Sequence, residues 1–462
     1  VDRTVHGPGA FKDYCGATGR VAMAGPARQY LAPDAPGVQA PKGPIMRNLT
    51  GRLAVLWAAG AVVAASAAFG AEGGAGSDDA TARAPAPPAE AAAKPAEPGW
   101  LAGWPLRRKV TVRQGFFVLG EHLKEVPVLI ALDAEAAPDL FADAARGRTA
   151  LALTAADGTT RLPHEVEVFV AKEPPTPKEE AETAPDGGGE EGRGRDARDV
   201  KSARRLRCYV RVPKLLADAD TDLYLYYGLR PRRGGRPNTP KPAEVWTNAF
   251  RAVYHFNAPK LTGTKDEVQD ATKHANHAQP EEMAVTAVGG VVGRALDGLA
   301  TAEDDRSLDL AQLDGWTVET WVRWPKKPAD AHVDVVRKDG WRLYWHAIGR
   351  WQALISDDPK SRGNVLYTYK PDPQAGGRWR YLAAVYQAKT RKLDLYMDGV
   401  VVHTRTIEKM GDFGGRRSLV LGVPAERDLR VLVDEVRISG VARSADWLAV
   451  THKNLAFPHK RI

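Results

Sequence analysis

From Trp100 onward the chain alternates apolar and polar residues in short runs, the period-two pattern of half-buried β-strands. Arg108-Lys-Val-Thr-Val-Arg, Thr149-Ala-Leu-Ala-Leu-Thr, Glu165-Val-Glu-Val-Phe-Val and Leu206-Arg-Cys-Tyr-Val-Arg-Val follow it. Val126-Pro-Val-Leu-Ile-Ala-Leu is apolar throughout, which predicts a strand buried on both faces. Leu223-Tyr-Leu-Tyr-Tyr-Gly closes the set. Gly, Asp and Pro separate these runs, so six short strands predict an antiparallel β-sandwich over 100–228.

A second strand-rich set runs from Val245 to Trp447. Its pieces include Phe250-Arg-Ala-Val-Tyr-His-Phe-Asn, Gly293-Arg-Ala-Leu-Asp-Gly and Trp316-Thr-Val-Glu-Thr-Trp-Val-Arg-Trp. Trp379-Arg-Tyr-Leu-Ala-Ala-Val-Tyr and Lys392-Leu-Asp-Leu-Tyr-Met-Asp-Gly-Val come later. Asp398-Gly399 is a hairpin signal, because glycine supplies a positive φ. The last strand, Leu432-Val-Asp-Glu-Val-Arg-Ile-Ser, leads into Arg443-Ser-Ala-Asp-Trp, read as the cap that ends the domain.

Other segments lack either period. Residues 1–45 are rich in Gly, Pro and Ala and read as sequence upstream of a natural start at Met46. Residues 46–70 hold a basic start, an apolar run from Leu53 to Phe69 and small residues at the exit, the layout of a secretory signal. That run is about 17 residues, near the lower limit for a bilayer span, so a retained anchor is the alternative. Either reading places the rest outside the cytoplasm. The Ala, Pro, Glu and Gly of 71–99 predict a disordered linker. Residues 172–204 form a charged low-complexity insertion and 229–244 a Pro/Gly-rich linker.

Two family resemblances follow from these pieces. Trp104-Pro-Leu-Arg-Arg-Lys-Val-Thr-Val, Val126-Pro-Val-Leu-Ile, Leu162-Pro-His-Glu-Val-Glu, Tyr209-Val-Arg-Val-Pro and Leu225-Tyr-Tyr-Gly resemble, in order, the DUF2341 family of bacterial envelope proteins. That family has no assigned chemistry. The second set, with Asp270-Ala-Thr-Lys-His-Ala-Asn-His-Ala, is similar to concanavalin A-like, laminin G-type (LamG) jelly rolls over 245–450. The resemblance implies one structural calcium on the closing-strand acid, Asp434; a carboxylate serving a loop without metal is the alternative.

Composition changes little. Of 462 residues, 44% are hydrophobic, enough for real cores, and the net charge of +8 permits an anionic partner. The charge is spread over strand faces and loops, so no nucleic acid is expected. The two cysteines, Cys15 and Cys208, define no disulfide framework; Cys208 reads as a packed strand thiol. A glycosidase needs paired carboxylates, and no E-x-D-x-x-E run occurs. Glu319 stands alone, Asp304-Asp305 read as a loop, and Asp434-Glu435 are neighbours, which on a regular strand face opposite ways. Asp270, His274 and His277 lack the further ligands of a zinc site. In Trp341-Arg-Leu-Tyr-Trp-His, alternation puts Trp341, Leu343 and Trp345 on one face. Arg342, Tyr344 and His346 take the other, read as the exposed face, and are the candidate ligand-binding set.

The sequence thus predicts an all-β chain of two antiparallel β-sandwiches, the second a concanavalin A-like jelly roll, behind a disordered N-terminal region. The function read from it is non-catalytic, extracytoplasmic binding of a carbohydrate or surface polymer. A structural accessory role in an envelope transport assembly of the proton-channel type is the alternative, with envelope proteins as partners. Glycoside hydrolysis is the third reading. Membrane contact is expected only through an uncleaved N-terminal segment.

Overall fold

A computed structural model of the chain describes residues 97–170, 204–230 and 242–457. The last span has short breaks at 282, 312, 325–331, 356–363, 368–371, 373–375, 408–416 and 425–429. The expected signal segment, the charged insertion and most of both linkers lie outside the described residues. Among the described residues no helix is long and apolar enough to cross a membrane.

The first sandwich has seven strands: β1 (Leu106–Val112), β2 (Leu123–Asp133), β3 (Ala150–Thr154), β4 (Arg161–Leu162), β5 (His164–Val170), β6 (Arg205–Leu215) and β7 (Thr221–Leu229). One sheet has the order β1-β7-β3-β4, the other β2-β6-β5, all antiparallel. As the unbroken apolar run predicts, Val126 to Leu132 of β2 are all buried. A helix α1 (Pro138–Ala145) interrupts the strands and buries Leu140, Phe141 and Ala144. Its proline sits at the helix start, where the missing N–H costs nothing.

The expected linker 229–244 is shorter in practice. Leu229 still belongs to β7, and α2 (Pro242–Val245) is a single helical turn at its far end. The jelly roll then runs β8 (Phe250–Tyr254), β9 (Ala278–Pro280), β10 (Val285–Gly290), β11 (Gly293–Asp297), β12 (Leu299–Ala302), β13 (Gly315–Arg323), β14 (Val333–Lys338) and β15 (Trp341–His346). It continues with β16 (Arg350–Ile355), β17 (Asn364–Tyr367), β18 (Arg380–Gln387), β19 (Lys392–Met397), β20 (Val400–Thr406), β21 (Leu419–Gly422) and β22 (Leu432–Ser439). Seven strands form the sheet β17-β16-β15-β14-β21-β12-β9. Eight form the other, β10-β11-β22-β13-β18-β19-β20 with β8 on β22. Trp316, Val318, Trp341, Leu343, Trp345, Val433, Val436 and Ile438 fill the space between them.

The closing strand β22 is the hub of the eight-stranded sheet. It pairs with β13 along one edge and with β8 and β11 along the other, and all eight of its residues are buried. Its register on β13 shifts, with Glu319 opposite Arg437 but Trp321 opposite Asp434. Glu435, the extra residue's neighbourhood, adopts φ +50.

The outer face of that sheet is not open to solvent. Trp321, Tyr381, Ala383, Val385 and Tyr396 belong to the same buried cluster as Val128, Leu129, Tyr209 and Trp246 of the first sandwich and its exit turn. A helix α3 (Ala445–Ala456) joins them, burying Trp447, Leu448, Val450 and Leu455. The Arg-Ser-x-x-Trp cap is therefore the start of a helix: Ser444 Oγ accepts the Trp447 N–H at 3.3 Å. The Arg443 guanidinium lies 4.0 Å from the Trp447 ring centroid and 4.7 Å from that of Phe250.

Helix α3 also closes an exposed edge. β2 ends its sheet, so its outward N–H and C=O groups need partners. Buried Asn454 supplies both, its Oδ1 accepting the Leu129 N–H at 2.7 Å and its Nδ2 donating to the Leu129 carbonyl at 3.1 Å. Asn454→Ala strands two buried backbone groups and should cost about 2–5 kcal/mol. Urea denaturation of the full chain reads this; a loss below about 0.5 kcal/mol would show that Asn454 does not hold the edge.

Candidate functional site

The sequence-derived ligand set lies on β15. Trp341, Leu343 and Trp345 face the core, so Arg342, Tyr344 and His346 face outward from the seven-stranded sheet. Outward is not the same as exposed. Tyr344 is 5% exposed, and its hydroxyl donates to Gln352 Oε1 on β16. The expectation of an exposed tyrosine therefore fails, because neighbouring side chains cover its ring. Arg342 lies 4.8 Å from the Tyr344 ring centroid and 3.4 Å from Asp334. His332 stands 4.0 Å, ring to ring, from His346. Arg342 and His346 reach solvent in part, and Ile348 at the hairpin tip is exposed.

A second constellation lies where the two sandwiches meet. Glu165 and Glu167 sit two residues apart on β5, across an irregularity in its register on β6 between Val166 and Val168, and both carboxylates turn to His255. His255 follows β8, and Glu435 and Arg437 come from β22. The His255 Nδ1 lies 2.8 Å from Glu435 Oε1, and Arg437 donates to Glu435 Oε2 at 2.8 Å. Arg437 also donates to the Tyr209 hydroxyl at 2.9 Å. The other ring nitrogen of His255, Nε2, faces Glu165 Oε2 at 3.6 Å and Glu167 Oε1 at 3.9 Å. It has no hydrogen-bond partner.

Each glutamate is oriented from behind. Trp246 Nε1 donates to Glu165 Oε2 at 2.5 Å, and Asn257 Nδ2 to Glu167 Oε2 at 2.7 Å. Asn257 is held in turn by the Arg294 N–H on its Oδ1 at 2.8 Å. Gly293 precedes that contact at φ +92; a Cβ there would come within 2.9 Å of Val168. The glycine of the Gly-Arg-Ala-Leu motif thus lets β11 approach the first sandwich. The His255 ring packs against both Tyr209 and Trp246, each at a centroid distance of 5.2 Å.

Burial sets the electrostatics. Burial, reinforced by Glu165, pushes the Glu167 carboxyl up to about 7, against the pull of His255. Burial also works against Glu435, but His255 and Arg437 outweigh it and hold that carboxyl down to about 2. Burial lowers His255, yet Glu167 and Glu435 more than reverse this and raise it well above its ordinary value. Three carboxylates thus share an imidazole and a guanidinium in an interior where Glu435 is fully buried.

The other sequence candidates are placed as follows. Asp434 is fully buried; Oδ2 accepts the N–H groups of Val291 and Val292 at 2.6 and 3.2 Å, and Oδ1 that of Glu435 at 2.8 Å. Burial, then Glu435, raises its carboxyl well above the usual range. Asp434 and Glu435 do not face opposite ways as alternation predicts. Asp434 pairs with Trp321, and Arg437, which binds Glu435, lies opposite Glu319, so the bulge turns all these side chains to the outer face. Glu319 accepts the Tyr381 hydroxyl at 2.8 Å there. Asp270 serves a turn, accepting the N–H groups of Val253, Thr272 and Asn276, each at 2.9 Å. His277 accepts the Asp270 N–H at 3.0 Å. Cys208 is buried and its thiol is pushed far up by burial.

Among the described residues one group of three could hold a metal ion: Glu165, Glu167 and His255, with ligand atoms within 4.8 Å of one another. Sequence reading passed over all three. The glutamates alternate with valines as a solvent face would, and His255 sits in what reads as an ordinary opening strand. The signal lay in the Glu-x-Glu spacing, which carries meaning only once a second sandwich covers it.

Residues 297–449 match the family described as the concanavalin A-like lectin/glucanases superfamily (Laminin_G_3). This agrees with the jelly roll seen in the second sandwich. A sequence search matches no curated protein. Among solved structures, the binding domain of Paraclostridial Mosquitocidal Protein 1 is similar at 12% identity and TM-score 0.37, over 44% of this chain and 52% of that one. The Botulinum neurotoxin serotype D binding domain is similar at 10% identity and TM-score 0.37, over 46% and 52%. The serotype D ligand binding domain in complex with N-acetylneuraminic acid gives 11%, 0.35, 45% and 51%. The chain spans about half the length of each of these structures. An overlap this loose says nothing of a shared ligand.

Arg437→Leu removes one of the two cations that hold the fully buried Glu435. It should destabilise the full chain by about 3–5 kcal/mol, the cost of an uncompensated buried charge. The urea midpoint checks this; a change under about 1 kcal/mol would mean that His255 alone suffices.

Proposed function

We propose that this protein is a non-catalytic, extracytoplasmic binding protein that takes a carbohydrate or surface polymer on its jelly roll. The observation that carries the reading is the division of labour between the two jelly-roll sheets. The first sandwich and α3 occupy the outer face of the eight-stranded sheet. A polymer therefore meets the jelly roll at the seven-stranded sheet, where Arg342 stands near the start of β15 and His346, with His332 against it, at its end. Arg337 and Arg350 stand across from Arg342 and His346 on the neighbouring strands, with Asp334 as a nearby acid. This balance favours an anionic polymer.

The concanavalin A-like match over 297–449 supports a binding role. The position of the carboxylates supports the absence of catalysis. Glu319, Asp434 and Glu435 are at most 1% exposed, and the Glu165 and Glu167 side chains only 10% and 8%. A polysaccharide cannot reach any of them without separating the sandwiches. The basic and apolar segment at 46–70 supports the extracytoplasmic setting.

A glycan array on the full chain, including acidic polysaccharides, tests this. Binding is expected, and Arg342→Ala should weaken it about tenfold, the loss of one charge-assisted contact. No binding to any glycan, together with co-purification of envelope proteins, would replace this reading with the structural accessory role. Turnover of a bound polysaccharide would overturn the non-catalytic assignment.

A further inference from the structure

We propose that Glu165, Glu167 and His255 form a divalent-metal site that clamps the first sandwich to the jelly roll. The geometry is the starting point. The three ligand atoms lie within 4.8 Å of one another, with Nε2 at 3.6 and 3.9 Å from the carboxylate oxygens. Two donors bonded at about 2.0–2.2 Å to one cation lie roughly 2.8–4.4 Å apart, a range that holds both Nε2–oxygen separations. These same distances are too long for hydrogen bonds, so the buried Nε2 meets both carboxylates without a hydrogen bond to either.

The surroundings are those of a metal ligand set. A metal-bound imidazole usually donates its second ring N–H to a carboxylate, which fixes the tautomer. His255 Nδ1 lies 2.8 Å from Glu435 Oε1, so a metal that displaced the Nε2 proton would meet a lone pair turned to Glu165 and Glu167. Glu435 is anchored by Arg437, and the two glutamates by Trp246 and Asn257. The Glu167 oxygen nearest His255 is Oε1, while Asn257 holds Oε2, so the free oxygen is the one turned to the site.

One imidazole nitrogen with carboxylate oxygens suits zinc or manganese; calcium and magnesium prefer oxygen alone. The ligands come from both sandwiches, 90 and 88 residues apart along the chain for Glu165 and Glu167 relative to His255, so the ion would act as a cross-link. It needs no surface ligand and stands whether or not a polymer binds.

The test uses the full chain, stripped with a chelator and titrated with Zn2+ and with Mn2+ by calorimetry. One ion per chain and a rise in Tm on loading are expected, with neither for Ca2+. Glu167→Gln should weaken binding at least about tenfold and abolish the Tm rise, whereas His274→Ala, outside the site, should change neither. Failure of both ions to bind at one per chain, or equal binding by Glu167→Gln, would overturn the site. If that variant does not fold, Co2+ decides on the unaltered chain. A visible absorption band saturating at one ion and displaced by Zn2+ supports the site, and its absence overturns it.

Discussion

The buried Glu435 carboxylate is the interaction on which the rest of the structure leans. It lies between His255 and Arg437, each 2.8 Å away, with no exposure to solvent. A lone carboxylate in such a place would be neutral or would break the fold. Two cations keep it charged, and both are tied to further groups of the joint. Arg437 reaches the Tyr209 hydroxyl of β6, and the ring of His255 packs on Tyr209 and Trp246. The bulge in β22 makes this possible by turning Glu435 toward the first sandwich while Val433, Val436 and Ile438 stay in the jelly-roll core.

One strand therefore serves two cores. Its apolar residues close the space between the jelly-roll sheets. Its polar residues, normally the solvent side of such a sheet, meet a second protein surface and must be satisfied there. Within the jelly roll, Asp434 takes the Val291 and Val292 amides and Glu435 takes Arg437, while Tyr381 serves Glu319 on the adjoining β13. The two sandwiches are thus parts of one body, and Asn454 on α3 continues the same logic at the edge of β2. The joint removes one face of the eight-stranded sheet from solvent and leaves the outer face of the seven-stranded sheet outside it.

Most strands were legible because a period of two survives in any sequence whose strands have one wet and one dry side. Val126 to Leu132 even announced burial on both faces. The helices were less so. α1 hides three buried apolar residues in an Ala- and Asp-rich stretch, and Ser444 reads as a domain end until the helix it caps is seen. Tyr344 was placed on the correct face but not at the correct depth, since alternation reports direction and not what lies above a side chain.

The sequence by itself determined the all-β class, the jelly-roll order of the second half, and which residues of each regular strand face the core. These are local properties, written in the spacing of apolar side chains. Only the tertiary structure decided that the outer face of β22 is interior, and that Asp434 and Glu435 share it. Only it brought Glu165, Glu167 and His255 together. Those outcomes depend on a single extra residue in a strand and on contacts between segments far apart in the chain, and neither leaves a period to read.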